Sequence, residues 1–199
     1  MTSSLILAST SVYRKRLLER LRLPFEAVAP ETDETPHANE SPIEIAQRLA
    51  QAKASSIQLA RPEAIIIGSD QVCVLEDTVL GKPGSIPVAI QQLSASSGKT
   101  LRFYTGVCLL APQQAASVRV VETAVKMRTL SDHEITRYIE LDRPTDCAGS
   151  FKWESLGIAL FERIEGTDPT ALEGLPLITL CDMLRSAGLN PINTDITMN

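Results

Sequence analysis

Asp70 interrupts an otherwise apolar stretch, "IIIGSDQVCVLEDTVLGKP", residues 65–83. Ile65 to Ile67 and then Gly68-Ser69 precede it, and a second apolar run, Val72 to Leu75, follows. A carboxylate in such a place is costly unless a metal, a proton or a basic partner compensates it. Further acids stand in turn-like sequence, Glu31, Asp33 and Glu34, and single cations stand at Arg14, Lys53 and Lys82. Lys82 is framed by Gly81 and Pro83. Acids at strand ends and in loops hold a hard ion, Mg2+ or Mn2+, through oxygen. Isolated cations neutralise the phosphate oxygens that the ion does not reach. The residue set therefore suits metal-assisted phosphoryl chemistry, although its spacing alone does not separate it from ordinary surface charge.

Other chemistries find less support. The chain has no P-loop, no G-x-G-x-x-G and no H-E-x-x-H. Of its two histidines, His37 falls in an acidic loop and His133 at the second position of a capped helix. Neither is placed as a catalytic base, which leaves Ser/His/Asp chemistry without a centre.

The elements that must position these residues alternate. "SLILAS" predicts a short buried strand, followed by a helix N-capped by Ser11 with Leu17, Leu18 and Leu21 on one face. Arg14 and Lys15 then lie in a first helical turn, where free backbone N–H groups suit an anion; on composition alone a solvated helix rich in Arg and Lys is the favoured reading. Ser41-Pro42-Ile43-Glu44 is a capping box with proline at the first position. The helix it starts carries Ile45, Leu49, Ala52 and Ile57 inward, with Lys53 near its middle. Ile65 to Ile67 forms the next strand, and Val72 to Leu75 continues extended. A helix over 85–97 ends at Gly98. Two strands meet around Pro112-Gln113-Gln114, and Ser131-Asp132-His133-Glu134 opens a further capped helix. "GIALFERIEG" predicts a strand, and residues 176–185 a last helix, with a polar tail from Asn190. This alternation predicts an α/β protein with a mixed sheet whose lobes, if any, share that sheet.

Composition sets the outer limits. With 199 residues and 44% hydrophobic content, the chain can bury a real core. A net charge of −5 speaks against a nucleic acid polymer as partner, though not against a small anion. The N-terminus has no basic region, and its apolar run is too short for a signal peptide or a membrane span. The expectation is a cytoplasmic protein with no membrane partner. Its four cysteines, Cys73, Cys108, Cys147 and Cys181, lie far apart in apolar contexts and read as buried, reduced thiols.

One family resemblance runs through nearly the whole chain, from Leu5 to about Pro191. "LILASTSVYRKRLLERL" resembles the opening of the Maf family, with its S-x-x-R at Ser11 to Arg14. "ETDE", "LAQAKA", "IIGSDQV" and "LGKP" follow in the family's order, and "DCAGSFKWESLGIALFERIEGTDPTALEGLPLITL" resembles the YceF subgroup in particular. The resemblance implies a nucleoside triphosphate pyrophosphatase that cleaves between the α and β phosphates, with N7-methyl-GTP as the subgroup's nucleotide. It implies a two-lobed α/β fold related to inosine triphosphatase, with an elongated mixed sheet and a central cleft. It implies one Maf-like domain over 1–190 with a polar tail over 191–199. It also implies dependence on a divalent metal cation, and it leaves a homodimer open.

The same resemblance distributes roles. Asp70 is the catalytic acid that accepts the proton of the attacking water, and it serves as base, metal ligand or both. Glu34 helps to hold the metal. Lys53 and Lys82 bind phosphate, and Ser11 and Arg14 belong to S-x-x-R. Tyr13, Gln71 and Glu154 fall at substrate-selecting positions. Trp153 joins them on chemical grounds, because an aromatic face attracts the positive charge of N7-methylguanine; packing in the core is its alternative. The chain departs from the family's pattern at Val12, where proline is common, and it carries Tyr13 and Trp153 where relatives place Trp and a small residue. Two other readings stay open: a pyrophosphatase for dTTP, UTP or a modified base, and a nucleotide-binding regulator of septum formation.

Overall fold

The computed structural model describes residues 4–193. The fold is mixed α/β, with seven strands in one sheet of order β2-β1-β3-β5-β6-β7 and β4 paired to β3. The chain divides into two compact units, residues 1–71, 105–121 and 168–199 in the first, and 72–104 and 122–167 in the second.

The first unit holds β1 (Leu5–Ala8), α1 (Val12–Glu19), β2 (Glu26–Val28), α2 (Pro42–Gln58) and α5 (Leu177–Ser186). It also holds parts of β3 (Ile65–Leu75), β5 (Thr100–Leu110) and β6 (Ser117–Met127). β1 pairs parallel to both β2 and β3, with Ile6 opposite Ile66. Alternation along these strands feeds two cores. Leu5, Leu7, Ile65, Ile67, Val107 and Leu109 pack with Leu17 and Leu18 of α1 and with Leu180, Met183 and Leu184 of α5. Ile6, Ala8, Ile66, Cys108 and Leu110 face the other way, onto Ala50, Ala54 and Ile57 of α2. The expected inward Ala52 is only half-buried; Ala46, Ala50 and Ala54 line the contact, because small residues let this helix lie close.

Both capping boxes form as the sequence predicts. Ser41 and Glu44 close one, with the Glu44 carboxylate accepting the Ser41 N–H at 2.8 Å, and Ser131 and Glu134 close the other. Ser11 caps α1 by accepting the Arg14 N–H.

The second unit holds β4 (Thr78–Leu80), α3 (Ile86–Ser96), α4 (Asp132–Asp142) and β7 (Phe161–Gly166), with the remainders of β3, β5 and β6. Its core includes Phe151, edge-on to both Phe103 and Phe161 at centroid distances of 5.5 and 4.7 Å. β3 turns through Glu76 and Asp77 into β4, with Val74 opposite Val79, a hairpin three residues deep that carries no long apolar run to announce it.

The strand expected over "GIALFERIEG" is half right. Leu156–Leu160 is a 3-10 helix, and only Phe161–Gly166 is a strand. A Cβ at Gly157 would stand 2.4 Å from the Lys152 carbonyl oxygen, which accepts the Gly157 N–H at 3.0 Å. That tight approach winds the chain before it can extend.

Asn190 to Asn193 closes a turn, the Asn193 N–H donating to the Asn190 carbonyl at 3.1 Å. The rest of the expected tail, residues 194–199, lies outside the described residues. Among the described residues no helix is long and apolar enough to cross a membrane.

Candidate active site

Asp70 lies inside one continuous strand, β3, and not at a strand end as the sequence suggested. The two apolar runs of the sequence are the two halves of that strand. With Ile66 and Gly68, Asp70 shares the face turned toward α2. Two glycines bring that helix down. A Cβ on Gly68 would stand 2.1 Å from the Ala50 carbonyl oxygen and 2.7 Å from the Ala54 nitrogen. A Cβ on Gly106, in β5, would stand 2.2 Å from the Ala46 carbonyl oxygen. With no side chain in the way at either place, the helix backbone rests on the sheet, and Lys53 reaches Asp70.

The Lys53 ammonium, buried with its aliphatic stem, donates to Asp70 Oδ1 at 2.6 Å. Its Nζ also stands 2.7 Å from Glu34 Oε1. Asp70 is itself buried, while the Glu34 side chain is 61% exposed. Two carboxylates thus share one ammonium, with one acid at the solvent side. Arg14 completes the charge set. Burial pushes its guanidinium below the ordinary arginine value, and the charges of Asp70 and Glu34 pull it back up. An arginine desolvated in this way, and still charged, is well placed to gain from an incoming anion.

The loop that carries Glu34 is braced. Arg48 of α2 grips Glu40 with Nε to Oε1 at 2.6 Å and Nη2 to Oε2 at 2.8 Å, and donates to the Thr35 carbonyl at 3.2 Å. Asp33, a metal candidate from the sequence, accepts the Thr35 N–H at 2.9 Å and shapes this loop. The Arg48 hydrogen bonds hold the Glu40 carboxyl at about 2, well below its ordinary range. Glu31 is exposed.

Ser69 and Gln71 point to the opposite face of β3, onto the turn Pro169–Glu173 and Gly174. The Gln71 amide donates to the Ala171 carbonyl at 2.8 Å, to the Leu172 carbonyl at 3.2 Å and to Thr105 Oγ1 at 3.0 Å. Both its amide hydrogens are therefore engaged within the protein. Ser69 Oγ donates toward the carbonyls of Gly106 and Gly174, at 2.7 and 2.8 Å. Arg14 Nε donates to the same Gly174 carbonyl at 2.8 Å. The turn is fixed in its own right by buried Asp168. That carboxylate accepts Thr170 N–H and Oγ–H through Oδ1, and Ile178 and Thr179 N–H at the start of α5 through Oδ2, at 2.7 and 3.1 Å for the last pair. A carboxylate at a helix N-terminus also complements the helix dipole. Sequence reasoning quoted "GTDPTALEG" without assigning Asp168 or Gly174; the alternation of Asp, Thr and Gly around a proline was the available signal.

The first unit therefore gathers Arg14, Glu34, Lys53 and Asp70, with Ser11 capping the helix of Arg14 and Tyr13 half-buried beside it. Lys82 and Glu154 belong to the second unit, and both are exposed. Lys82 sits on a segment pinned by Gln92 Nε2 to the Gly81 carbonyl at 3.1 Å and by the Gly84 N–H to the Thr145 carbonyl at 2.9 Å, with Pro83 buried. A Cβ on Gly81 would meet nothing, so the frame is held by these bonds and Pro83 rather than by a missing side chain. Trp153 is half-buried, and its indole N–H, shielded from solvent, has no hydrogen-bond partner among the described residues.

Glu34 and Asp70 offer hard oxygen ligands to a common cationic position, now filled by the Lys53 ammonium. No group of three or more His, Cys, Asp or Glu side chains suited to a metal occurs among the described residues. Two carboxylates without a third fit Mg2+ or Mn2+ shared with substrate phosphates, the usual pattern for Mg2+. The cysteines are free; Cys73 and Cys108 are buried, whereas Cys147 and Cys181 are only half-buried, contrary to expectation. Burial pushes the Cys108 thiol up to about 12, which removes it from nucleophilic chemistry.

Residues 4–187 match the family of Maf-like proteins. The 7-methyl-GTP pyrophosphatase of Idiomarina loihiensis is 49% identical over 98% of this chain and 100% of its own length. The protein of the same name from Aromatoleum aromaticum is 51% identical over 94% of this chain and 97% of its own. Among solved structures, the Ham1 protein of Staphylococcus aureus superposes with a TM-score of 0.48 at 12% identity, over 78% of this chain and 90% of that one.

Proposed function

From the premise that the chain belongs to the Maf family, we propose that it hydrolyses the α–β phosphoanhydride bond of a nucleoside triphosphate, N7-methyl-GTP above all, giving the monophosphate and pyrophosphate. The relatives' names support the substrate. The observation that carries the chemistry is the Lys53 ammonium, held between Asp70 and Glu34 at 2.6 and 2.7 Å.

Asp70 acts as the base. Lys53 engages Oδ1 and so orients the carboxylate, while the other oxygen accepts a proton from water. The water oxygen bonds to the α phosphorus, the bond to the bridging oxygen breaks, and pyrophosphate leaves with that electron pair. Arg14 and Lys53 meet the phosphate charge. Glu34 and Asp70 would hold a divalent cation in the place the Lys53 ammonium now takes, and it would supply neutralisation of the phosphate oxygens and of the leaving pyrophosphate.

Pyrophosphate release measured over N7-methyl-GTP, GTP, dTTP and UTP tests the reading. Release that is at least about tenfold more efficient with N7-methyl-GTP than with the others is expected; pocket contacts supply discrimination of that order. A preference for dTTP or UTP would reject the substrate and keep the reaction. No release from any triphosphate would reject both.

A further inference from the structure

We propose that Ser69 and Gly174 are positioning residues for Arg14, so that the strand carrying the catalytic acid also sets the phosphate-binding arginine. The proposal rests on the reading above, in which Arg14 binds phosphate.

The geometry is a single shared carbonyl. Gly174 O accepts from Arg14 Nε at 2.8 Å and stands 2.8 Å from Ser69 Oγ, whose single hydroxyl hydrogen it shares with the Gly106 carbonyl at 2.7 Å. Ser69 immediately precedes Asp70 on β3, and neighbouring residues of a strand face opposite sides. Asp70 is turned to Lys53 and Ser69 to the turn that holds Arg14. The turn itself has little freedom. Ala171 O accepts from Gln71 Nε2, Thr105 Oγ1 and the Gly174 N–H, and Asp168 ties the same turn to α5.

Gly174 must lack a side chain on two counts. Its φ is +96°, a conformation that L side chains rarely adopt, and a Cβ there would stand 3.2 Å from Arg14 Nε. The Nε bond uses one of the five guanidinium N–H groups. The bond at Nε fixes the plane of the guanidinium, and with it the direction in which its Nη donors reach an anion. Because the bidentate grip of arginine on phosphate is geometrically demanding, a guanidinium free to swing would bind phosphate less well. Ser69 touches no substrate in this scheme; it acts through Gly174 and Arg14.

A double-mutant cycle on the full-length protein tests this. Ser69→Ala, Arg14→Ala and the double variant are compared for the inhibition constant of inorganic pyrophosphate, and for KM and kcat with N7-methyl-GTP. Ser69→Ala is expected to raise the inhibition constant and KM by roughly fivefold, the scale of one neutral hydrogen bond, with kcat changed less than about twofold. In the Arg14→Ala background the Ser69 effect should vanish, since the two residues act as one unit. An undiminished Ser69 effect in that background, or no effect in the wild-type background, overturns the proposal. Arg14→Ala without effect on either constant rejects instead the phosphate reading of Arg14. Should Ser69→Ala not fold, Ser69→Cys, nearly the same size and a far weaker donor, enters the same cycle with the same two outcomes.

Discussion

Lys53 Nζ stands 2.6 Å from Asp70 Oδ1 across a helix–sheet contact that exists only because Gly68 and Gly106 carry no side chains. The pair is buried, and breaking a buried charge pair from one side leaves the other charge uncompensated. Glu34, at 2.7 Å on the solvent side, gives Lys53 a second partner. Loss of the Asp70 charge therefore leaves Lys53 a carboxylate in contact, while loss of the Lys53 charge leaves Asp70 to the charges of Arg14 and Arg48.

That asymmetry makes Asp70→Asn an informative variant. The amide keeps the size and the fold, and Lys53 keeps Glu34. Turnover should fall by roughly a hundredfold or more, the scale of a lost general base, with an unchanged circular dichroism spectrum. Near-normal turnover would remove Asp70 from the mechanism.

Gly68→Ala tests the contact itself. The added methyl would stand 2.1 Å from a backbone carbonyl oxygen, which cannot rotate away as a side chain can. The helix must shift, and overpacking of this kind costs about 1–3 kcal/mol. A lower urea midpoint and a loss of turnover larger than the loss of folded protein are expected, because Lys53 moves with α2. A variant that melts like the wild type and turns over normally would show that the close approach is not needed.

Much of this was readable beforehand. The capping boxes at Ser41 and Ser131 and the N-cap at Ser11 are local hydrogen-bond patterns, so the sequence contains them whole. Asp70, Lys53, Arg14 and Glu34 stood out by type and by family resemblance. What the sequence hid was non-local. Asp70 looked like a strand end because Gly and Ser precede it, yet β3 runs unbroken through them from Ile65 to Leu75, past the last β1 pair at Gly68. Nothing near Gln71 says that its amide will meet carbonyls a hundred residues later. Asp33 and Arg48 become legible only once the loop closes on α2.

That loop has a pH signature. Glu40 ordinarily titrates near 4.5, and in the fold it is held at about 2 by Arg48. Above the ordinary value both folded and unfolded chains carry the charge, and the pair contributes its full stability. As pH falls from 4.5 toward 2 the unfolded chain takes up the proton first, and the contribution is lost. The melting-temperature gap between wild type and Glu40→Gln should therefore be widest near neutral pH and shrink across that window. A gap that is flat from pH 7 to 3 would separate Glu40 from the stability of the loop.

Metal removal should separate activity from stability. On the proposed reading Glu34 and Asp70, with no third such side chain grouped with them among the described residues, would hold an ion that substrate phosphates complete, and the fold would not depend on it. EDTA is expected to abolish turnover and Mg2+ or Mn2+ to restore it, with the melting temperature of the free protein moved by less than about 2 °C, since only an ion bound tightly to the folded state stabilises it. Full turnover in EDTA would exclude the metal. A large fall in melting temperature would point to a resident structural ion instead.

Base selection is the last question, and charge decides how to ask it. N7-methylguanine differs from guanine by a delocalised positive charge on its ring. An aromatic face gains about 0.5–2 kcal/mol from such a charge, and a carboxylate accepts the ring's N–H donors more strongly when they are charge-assisted. Tyr13 is half-buried beside Arg14, and Glu154 is exposed next to Trp153, whose indole N–H has no partner among the described residues. Gln71 stands apart from them, since both its amide hydrogens are engaged by the Ala171 and Leu172 carbonyls and by Thr105. Tyr13→Ala and Glu154→Gln should each lower the ratio of kcat/KM for N7-methyl-GTP over GTP by roughly three- to tenfold, the worth of one such contact. Turnover of GTP itself should change less. Gln71→Ala should instead lower stability and leave the ratio near its wild-type value, because that amide holds the 169–174 turn. Equal losses on both nucleotides for Tyr13 and Glu154 would assign them to the fold or to the phosphates. A collapsed ratio in Gln71→Ala, with the melting temperature intact, would return Gln71 to the base.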